Sequence, residues 1–270
     1  MPFTIATWNI NSVRLRLPLL QSFVRRYQPD IICLQETKCR NDQFPEKAIR
    51  ALGYEHIALN GQKGYHGVAT LSRFPFIQTS VMHFCGKGDA RHVTVMLDPS
   101  GNGAPAHIHN FYVPAGGDIP DPDQNEKFAH KLGFIEELRN WSNALNRGNG
   151  ANILVGDLNI APLPEDVWSH KQLLKVVSHT PVETEGLTAV LEEGGWTDSV
   201  RQHIPVPEKL YTWWSYRARD WSASDRGRRL DHVWIHAEHA EKVRGISVLR
   251  EARGWDQPSD HVPIIATVDG

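Results

Sequence analysis

The chain has 270 residues, of which 40% are hydrophobic and 22% are charged, and its formal net charge is −2 at pH 7. This length and composition predict a single soluble domain, residues 1–270, with a large core. A net charge of −2 gives no indication of nucleic-acid binding and excludes a protein that is basic over its whole surface. No apolar run approaches the roughly 18 residues that would indicate a membrane span.

The N-terminal segment and the cysteines predict a cytoplasmic protein. Met1-Pro2-Phe3 leads directly into a strand pattern, without the basic and then apolar segments of a secretion signal. Cys33, Cys39 and Cys85 form no CxxC pair and no zinc-binding spacing. We therefore expect reduced thiols without a catalytic role.

Hydrophobic periodicity predicts alternating strands and helices along the whole chain. In order, the predicted elements are strand Phe3–Asn9, helix Arg14–Tyr27, strand Asp30–Gln35, helix Pro45–Leu52, strands Tyr54–Asn60, Gly67–Ser72, Ile77–His83, His92–Asp98 and Ala106–Tyr112, helix Asn125–Leu145, strand Ala151–Gly156, a helical middle including Glu183–Glu193, and strands Tyr211–Tyr216, Leu230–His236, Val243–Leu249 and Val262–Val268. Two β-rich halves, each with helices, predict a two-layered sheet core flanked by helices.

Several of the short apolar runs meet a polar or ionisable residue at their ends. These residues are Asn9, Glu36, Asp157, Asn159, Asp231 and the adjacent pair Asp260-His261. Taken singly, an Asp or Asn after a strand is usually a turn former or a helix N-cap. Taken together, they predict a site at one sheet edge with carboxylates for a metal and an imidazole for proton transfer.

Basic residues are concentrated in one stretch of the chain despite the slightly acidic total. The stretch from Tyr216 to Asp231 holds five arginines and Trp221, and it follows Trp213 and Trp214. Taken alone, the run could be a solvated arginine loop. Beside an acidic pocket, a basic and aromatic strip suits a phosphate polyanion.

The motif set resembles that of the exonuclease III family of abasic-site endonucleases, in the family's order along residues 3–268. The matching segments are Thr7–Arg14, Leu34–Lys38, Gly64–Ala69, Asn110–Pro114, Gly156–Pro162, Tyr211–Arg217, Arg229–Asp231 and Pro258–His261. The resemblance implies an α/β (α+β) fold, a four-layered α/β-sandwich in which two mixed β-sheets pack face to face between helices. It also implies a Mg²⁺-dependent phosphodiesterase that cuts duplex DNA 5′ to abasic sites and trims 3′ ends.

The same resemblance assigns roles to individual residues. Glu36 and Asp260 would hold the metal with Asn9 nearby, and the wider set of metal candidates adds Asp157, Asn159 and His261. Asp157 would handle the attacking water or a second metal position, and Asn159 would orient that water. Tyr112 would lie close to the scissile phosphate, and Asp231 would hold His261.

Ligand chemistry supports these assignments. Mg²⁺ prefers oxygen ligands and keeps several waters, so a few carboxylates and an amide oxygen suffice, and Mn²⁺ is a possible substitute. Asp157 and Asn159 lie two residues apart at a strand end, so they can face the same water. Asp231 can fix the tautomer of His261, which then binds or protonates a phosphate oxygen.

Contacts to DNA are expected from residues spread along the matching segments. They are Arg14, Lys38, Gly64, Tyr65, Lys127, Trp213, Arg217, Arg228 and Leu230. The chain departs from the family pattern at Ala115, where relatives often have Asn or Gln, and at Arg228, where some have a Trp in the pocket for the abasic sugar. The expected partner is duplex DNA with abasic sites or 3′ ends. We also expect the protein to be a monomer that does not associate with a membrane.

Two other classes of function stay open from the sequence. One is a phosphoesterase of the same superfamily that acts on nonspecific DNA or a phosphoinositide. The other is a nucleic-acid-binding relative without catalysis. The remaining histidines, including His107 and His109 on one predicted strand, are expected on an exposed face rather than as ligands.

Overall fold

The computed structural model describes residues 2–145 and 150–270. Its strands, in chain order, are β1 (Pro2–Asn9), β2 (Ile31–Gln35), β3 (His56–Asn60), β4 (Val68–Ser72), β5 (Phe76–Ser80), β6 (His92–Leu97), β7 (Ala106–Tyr112), β8 (Ala151–Asp157), β9 (Trp196–Asp198), β10 (Trp213–Trp214), β11 (Gly227–Arg228), β12 (Asp231–His236), β13 (Val243–Val248) and β14 (Ile264–Asp269). Its α-helices are α1 (Leu17–Tyr27), α2 (Glu46–Arg50), α3 (Glu126–Ala144), α4 (His170–Leu173), α5 (Pro181–Glu193), α6 (Ser199–His203) and α7 (Trp221–Ser224). Among these helices, none is long and apolar enough to cross a membrane.

The strands form two mixed six-stranded sheets and one small hairpin. The first sheet has the order β13-β14-β1-β2-β4-β3, the second has the order β5-β6-β7-β8-β12-β9, and β10 pairs with β11. Within each large sheet one neighbouring pair is parallel, β1 with β2 and β7 with β8, and the other pairs are antiparallel. The predicted fold, with two mixed sheets and flanking helices, is confirmed.

The central strands are apolar on both faces because both faces are covered. On β1, Phe3 and Ile5 belong to the buried cluster that includes residues of both sheets. The alternate residues Ala6 and Trp8 pack with α1 on the outer face of the first sheet. A third cluster joins α3 and α5 to the outer face of the second sheet, which completes four layers.

Three local predictions differ from the structure. The strand expected over Tyr211–Tyr216 is reduced to the two residues of β10, because its ladder with β11 has only the pairs Trp213–Arg228 and Trp214–Gly227. The short strand β9 was not predicted. His109 was expected on an exposed face but is only 3% exposed, because Thr94 and Asn152 hydrogen-bond its ring in the interior.

Candidate active site

The ends of the central strands bring the predicted polar residues to one edge of the sandwich. Asn9 ends β1, and Tyr112 at the end of β7 lies beside Asp157 at the end of β8. Asp231 opens β12 and pairs with Asp157 from the other side. Gly156, at φ 140°, lies so close to the Phe111 carbonyl that a β-carbon would clash with it. Glycine therefore lets β8 deliver Asp157 directly beside β7.

Asp157 lies fully buried at the centre of the site. Its Oδ2 accepts hydrogen bonds from Asn9 Nδ2 at 2.8 Å and Asn159 Nδ2 at 3.2 Å, and His261 Nε2 is 3.6 Å away. Burial raises the pKa of the Asp157 carboxyl to about 7, with the positive charge of His261 opposing and the negative charge of Asp231 adding to the rise. The carboxylate is therefore able to take up a proton near neutral pH.

His261 is held in one orientation by its neighbours. Its Nδ1 lies 2.8 Å from Asp231 Oδ2, which also accepts a hydrogen bond from the Thr212 hydroxyl at 2.6 Å. Burial disfavours the charged imidazole, but Asp231 and Asp157 outweigh this effect and raise the pKa of His261 to about 10. The ring is therefore a cation at neutral pH, with Nε2 turned toward Asp157.

Glu36 follows β2 and accepts hydrogen bonds from three sides. Its Oε1 accepts from Asn9 Nδ2 and from the Tyr112 hydroxyl, both at 2.9 Å, and Lys38 Nζ lies 2.7 Å from Oε2. Burial alone would raise the pKa of Glu36, but Lys38 and the Asn9 amide bring it below its ordinary value. Arg91 stacks over the Tyr112 ring at 5.0 Å and so holds the phenol against this carboxylate.

Asn11 contacts the site but was not assigned a role from the sequence. Its Nδ2 donates to Asp260 Oδ1 at 3.0 Å, and its Oδ1 accepts from Lys38 Nζ at 2.6 Å. Its backbone N–H donates to Asn9 Oδ1 at 3.1 Å. Asn9 therefore turns its amide nitrogen toward the carboxylates of Glu36 and Asp157, whereas the sequence predicted that its amide oxygen faces the metal. The only sequence signal for Asn11 was its position two residues beyond the strand-end asparagine.

The donor set fits a hard divalent cation. Asp157, Asp231 and His261 lie within 4.8 Å of one another, and because the charged imidazole has no free lone pair, the carboxylates are the ligand candidates of this group. Asp231 Oδ1 is buried without a hydrogen-bond partner among the described residues. Glu36 and Asp260 line the adjoining cleft. Four carboxylates gathered near one charged imidazole match the oxygen-rich sites that Mg²⁺ or Mn²⁺ prefers.

A cleft of about 560 Å³ opens above these groups. Glu36, Asn159, Asp260 and His261 form its polar side. Trp213 Nε1 donates to Asp260 Oδ2 at 2.9 Å, which joins the aromatic wall to the acidic side. The remaining lining residues are Ala115, Gly117, Asp118, Trp168, Val176, Val177, Ser178, Trp213, Ser215, Arg217, Arg226, Arg228 and Leu230.

Arg228 gives this cleft a cationic wall. Its guanidinium lies 5.3 Å from the Trp213 ring centroid, and its Nη1 donates to Val177 O at 2.9 Å and Ser178 Oγ at 2.8 Å. Leu230 also lines the cleft, although it is only 4% exposed. The wall beside Trp213 therefore combines an apolar surface with a fixed positive charge.

The arginine strip divides into exposed and buried members. Arg217 and Arg226 are exposed and line the cleft, as expected for phosphate contacts. Arg229 was included in the phosphate-binding strip, but it is fully buried in ion pairs with Asp166 and Asp198 at 2.9 and 2.6 Å. Because its guanidinium is buried and paired with both carboxylates, Arg229 stabilises the fold and cannot reach a phosphate. The prediction that Arg229 contacts phosphates was therefore wrong.

The other predicted DNA contacts lie outside the cleft. Arg14, Gly64, Tyr65 and Lys127 are exposed, and Tyr65 is 71% exposed. Lys127 lies on the first turn of α3, next to the loop that carries Gly117. Their exposure suits contacts to a long ligand that extends beyond the cleft.

Comparison with known proteins places this geometry in a family. The model of the Endonuclease/Exonuclease/phosphatase family matches residues 6–261. Exodeoxyribonuclease III of Haemophilus influenzae is 29% identical over 266 residues, covering 96% of this chain and 97% of that protein.

Two solved structures resemble the whole chain. An AP endonuclease from Archaeoglobus fulgidus is 30% identical with a TM-score of 0.89, covering 99% of this chain and 100% of that chain. The 3′ phosphatase NExo from Neisseria, bound to product DNA hairpin, is 30% identical with a TM-score of 0.87 and the same coverage. The resemblance predicted from the motifs is thereby confirmed, and this chain belongs to the Endonuclease/Exonuclease/phosphatase family of enzymes.

Proposed function

We propose that this protein is a DNA-repair phosphodiesterase that uses Mg²⁺ to cleave duplex DNA 5′ to abasic sites and to trim 3′ ends. One observation carries the proposal. His261, held by Asp231 and 3.6 Å from the buried Asp157, lines together with Glu36 and Asp260 a cleft whose opposite wall is aromatic and cationic. Relatives named exodeoxyribonuclease III and AP endonuclease support the substrate class.

The chain's own groups suit hydrolysis of a phosphodiester. Glu36 and Asp260 would hold the metal ion, which when bound supplies positive charge at the phosphate oxygens. Asp157 takes the proton of the attacking water, and the Asn159 amide beside it orients that water. The charged His261 stabilises the negative charge that develops on the phosphoryl oxygens.

The cleft wall supports a preference for damaged DNA. An abasic nucleotide has no base to unstack, so turning its sugar out of the helix costs less than flipping an intact nucleotide, which costs a few kcal/mol. Trp213 and Leu230 offer an apolar surface to such a sugar. Exposed Arg217 and Arg226 offer contacts to phosphates without reading bases.

The position of Arg228 favours 3′-end trimming as the second activity of this site. Its guanidinium lies against Trp213, where an uncharged sugar would gain little from a cation. A charged group at a strand end would pair with it directly. The relative named a 3′ phosphatase is consistent with this choice.

The deciding experiment compares four substrates with the same protein in Mg²⁺ buffer. They are a duplex with one abasic site, a duplex with a recessed 3′ end, a covalently closed duplex with neither feature, and a soluble inositol phosphate. We expect cleavage of the first two and loss of both activities in Asp157→Asn, by roughly 10²–10⁴-fold. Turnover of the inositol phosphate alone would support the phosphoinositide alternative, and DNA binding without any turnover would support a non-catalytic protein.

A further inference from the structure

We propose that Lys131 is a positioning residue that holds Asn159 in its working geometry. Lys131 lies on α3, is fully buried, and was not singled out by any motif. Its Nζ donates to Asn159 O at 2.8 Å and Ala115 O at 3.3 Å, and it lies 2.5 Å from Glu183 Oε1. The inference rests on the proposed function only in giving Asn159 a role in the reaction.

The hydrogen bonding around Lys131 is complete. An ammonium group has three N–H donors, and here each has one acceptor. A buried lysine needs one anionic partner to offset its loss of water, and Glu183 is that partner. The hydrogen bonds to the neutral carbonyls of Asn159 and Ala115 are therefore additional, and they connect this ion pair to two loops that line the cleft.

Glu183 carries the connection to a third loop. Its carboxylate accepts from Ser178 N at 2.9 Å, from Thr180 N at 3.2 Å and from the Thr180 hydroxyl at 2.7 Å, which caps the start of α5. Ser178 Oγ in turn accepts from Arg228. One buried pair thus joins the loop of Asn159, the loop of Ala115 and the loop behind Arg228.

Asn159 has a specific need for such an anchor. Its φ of 55° lies in the left-handed region, which residues other than glycine seldom adopt, although asparagine does so more readily than most. Its Nδ2 donates to Asp157 Oδ2 at 3.2 Å and to Val113 O at 2.9 Å, and both bonds require that the backbone keep this conformation. Fixing the Asn159 carbonyl fixes the peptide that follows, so loss of the anchor lets the amide move away from the reacting groups.

A matched ion pair on the same two helices separates positioning from stability. Arg139 on α3 and Glu193 on α5 also form an ion pair, with 2.7 Å between Arg139 Nε and Glu193 Oε2. Glu193 is exposed, Arg139 is half-buried, and neither lines the cleft. Removing this pair tests what happens when α3 and α5 lose a link without any change at Asn159.

The test compares Lys131→Met/Glu183→Gln with Arg139→Met/Glu193→Gln. Each double variant removes both charges, so no buried ion is left unpaired, and glutamine can still cap α5. The measurements are kcat and KM on the substrate that the wild type cleaves best, the unfolding midpoint, DNA affinity without metal, and amide hydrogen exchange. Lys131→Arg serves as the conservative variant.

We expect the Lys131 double variant to lose at least tenfold in kcat, with KM and metal-free DNA affinity within about threefold of wild type. Amide exchange should accelerate at least tenfold in segments 113–117 and 157–161. The Arg139 double variant should retain wild-type kcat and wild-type exchange in these segments. Lys131→Arg should retain most of the wild-type kcat.

A kcat within twofold of wild type in the folded Lys131 double variant, with unchanged exchange at 157–161, would overturn the proposal. If that variant does not fold, Lys131→Leu/Glu183→Gln decides, because it also leaves no buried ion unpaired and has no donor for the Asn159 carbonyl, so a wild-type kcat and exchange in its folded fraction would equally exclude positioning. If the wild type cleaves no DNA at all, the proposed function fails. The hydrogen-exchange comparison would still decide whether Lys131 holds the Asn159 segment.

Discussion

At the scale of single residues, the site depends on carboxylates whose partners set their protonation. Glu36 and Asp157 share the Asn9 amide, yet the pKa of Glu36 is lowered while that of Asp157 is raised to about 7. Burial is the largest influence on both groups and raises both pKa values, but at Glu36 the charge of Lys38 and the Asn9 amide outweigh it, whereas at Asp157 the charge of His261 does not. One carboxylate is thereby kept charged, as its proposed role at the metal requires, and the other is able to exchange a proton.

Glu36→Gln should raise the Mg²⁺ concentration needed for half-maximal activity by at least tenfold, the lower end of the roughly 10–100-fold effects at metal sites. The amide keeps an oxygen for the Tyr112 hydroxyl but loses the charge that attracts the cation. Titrating activity against Mg²⁺ measures the midpoint. Lys38→Met is the control, since removing the competing ammonium should lower the midpoint, and an unchanged midpoint in Glu36→Gln would remove Glu36 from the metal site.

At the scale of elements, the β10–β11 hairpin forms the aromatic and cationic wall of the cleft. Trp213 and Arg228 are paired across its two strands, and Trp213 also forms a bridge to His261. The hairpin therefore connects the floor of the site to the surface that would meet a sugar or a strand end. A strand pattern in this segment gave no indication of that role.

Trp213→Ala should lower cleavage at an abasic site by roughly 10–200-fold, the range for losing apolar contacts in a pocket, and should lower 3′-end trimming much less. Both rates are measured on matched duplexes. Trp213→Phe, which loses the hydrogen bond to Asp260 but keeps a ring, separates the wall from the ligand contact. Equal losses on both substrates for Trp213→Ala would show that Trp213 contacts DNA in general rather than the abasic sugar.

Arg217→Ala should instead weaken binding to both duplexes equally and reduce the salt dependence of binding by about one phosphate contact.

At the scale of the whole molecule, buried neutral histidines link stability to pH. Burial is the main cause that lowers the pKa of His92 to about 3, of His109 to about 4 and of His232 to about 3. In the unfolded chain these rings take up protons near pH 6.5. Their contribution to stability is therefore complete above pH 6.5 and is lost as the pH falls toward 3–4.

His109→Asn should reduce the slope of unfolding free energy against pH between 4 and 6.5 by about 1.4 kcal/mol per pH unit, which corresponds to one proton. Urea unfolding of both proteins at several pH values in this range gives the slope. The absolute stability of the variant will change as well, but the slope reports only the difference in proton uptake. An unchanged slope would show that His109 titrates normally in the folded protein.

By itself, the sequence determined the longer strands, most helices and the residues at the strand ends. Runs of apolar residues and turn-forming residues are local patterns that can be read without the tertiary structure. Asn9, Glu36, Asp157 and Asp260 could be named as site candidates for this reason. The short strands β9 and β11 escaped prediction, and β10 is shorter than the strand predicted over Tyr211–Tyr216, because tertiary pairing, not local propensity, defines them.

Only the tertiary structure decided which charges serve the site and which serve the fold. Arg228 and Arg229 are adjacent in sequence, yet one faces the cleft and the other is buried between two aspartates. Lys131 and Glu183 lie 52 residues apart and form a buried pair that no spacing rule indicates. The physical reason is that the energy of a charge depends on its desolvation and on its partners, and both are set by distant segments that meet only when the chain has folded.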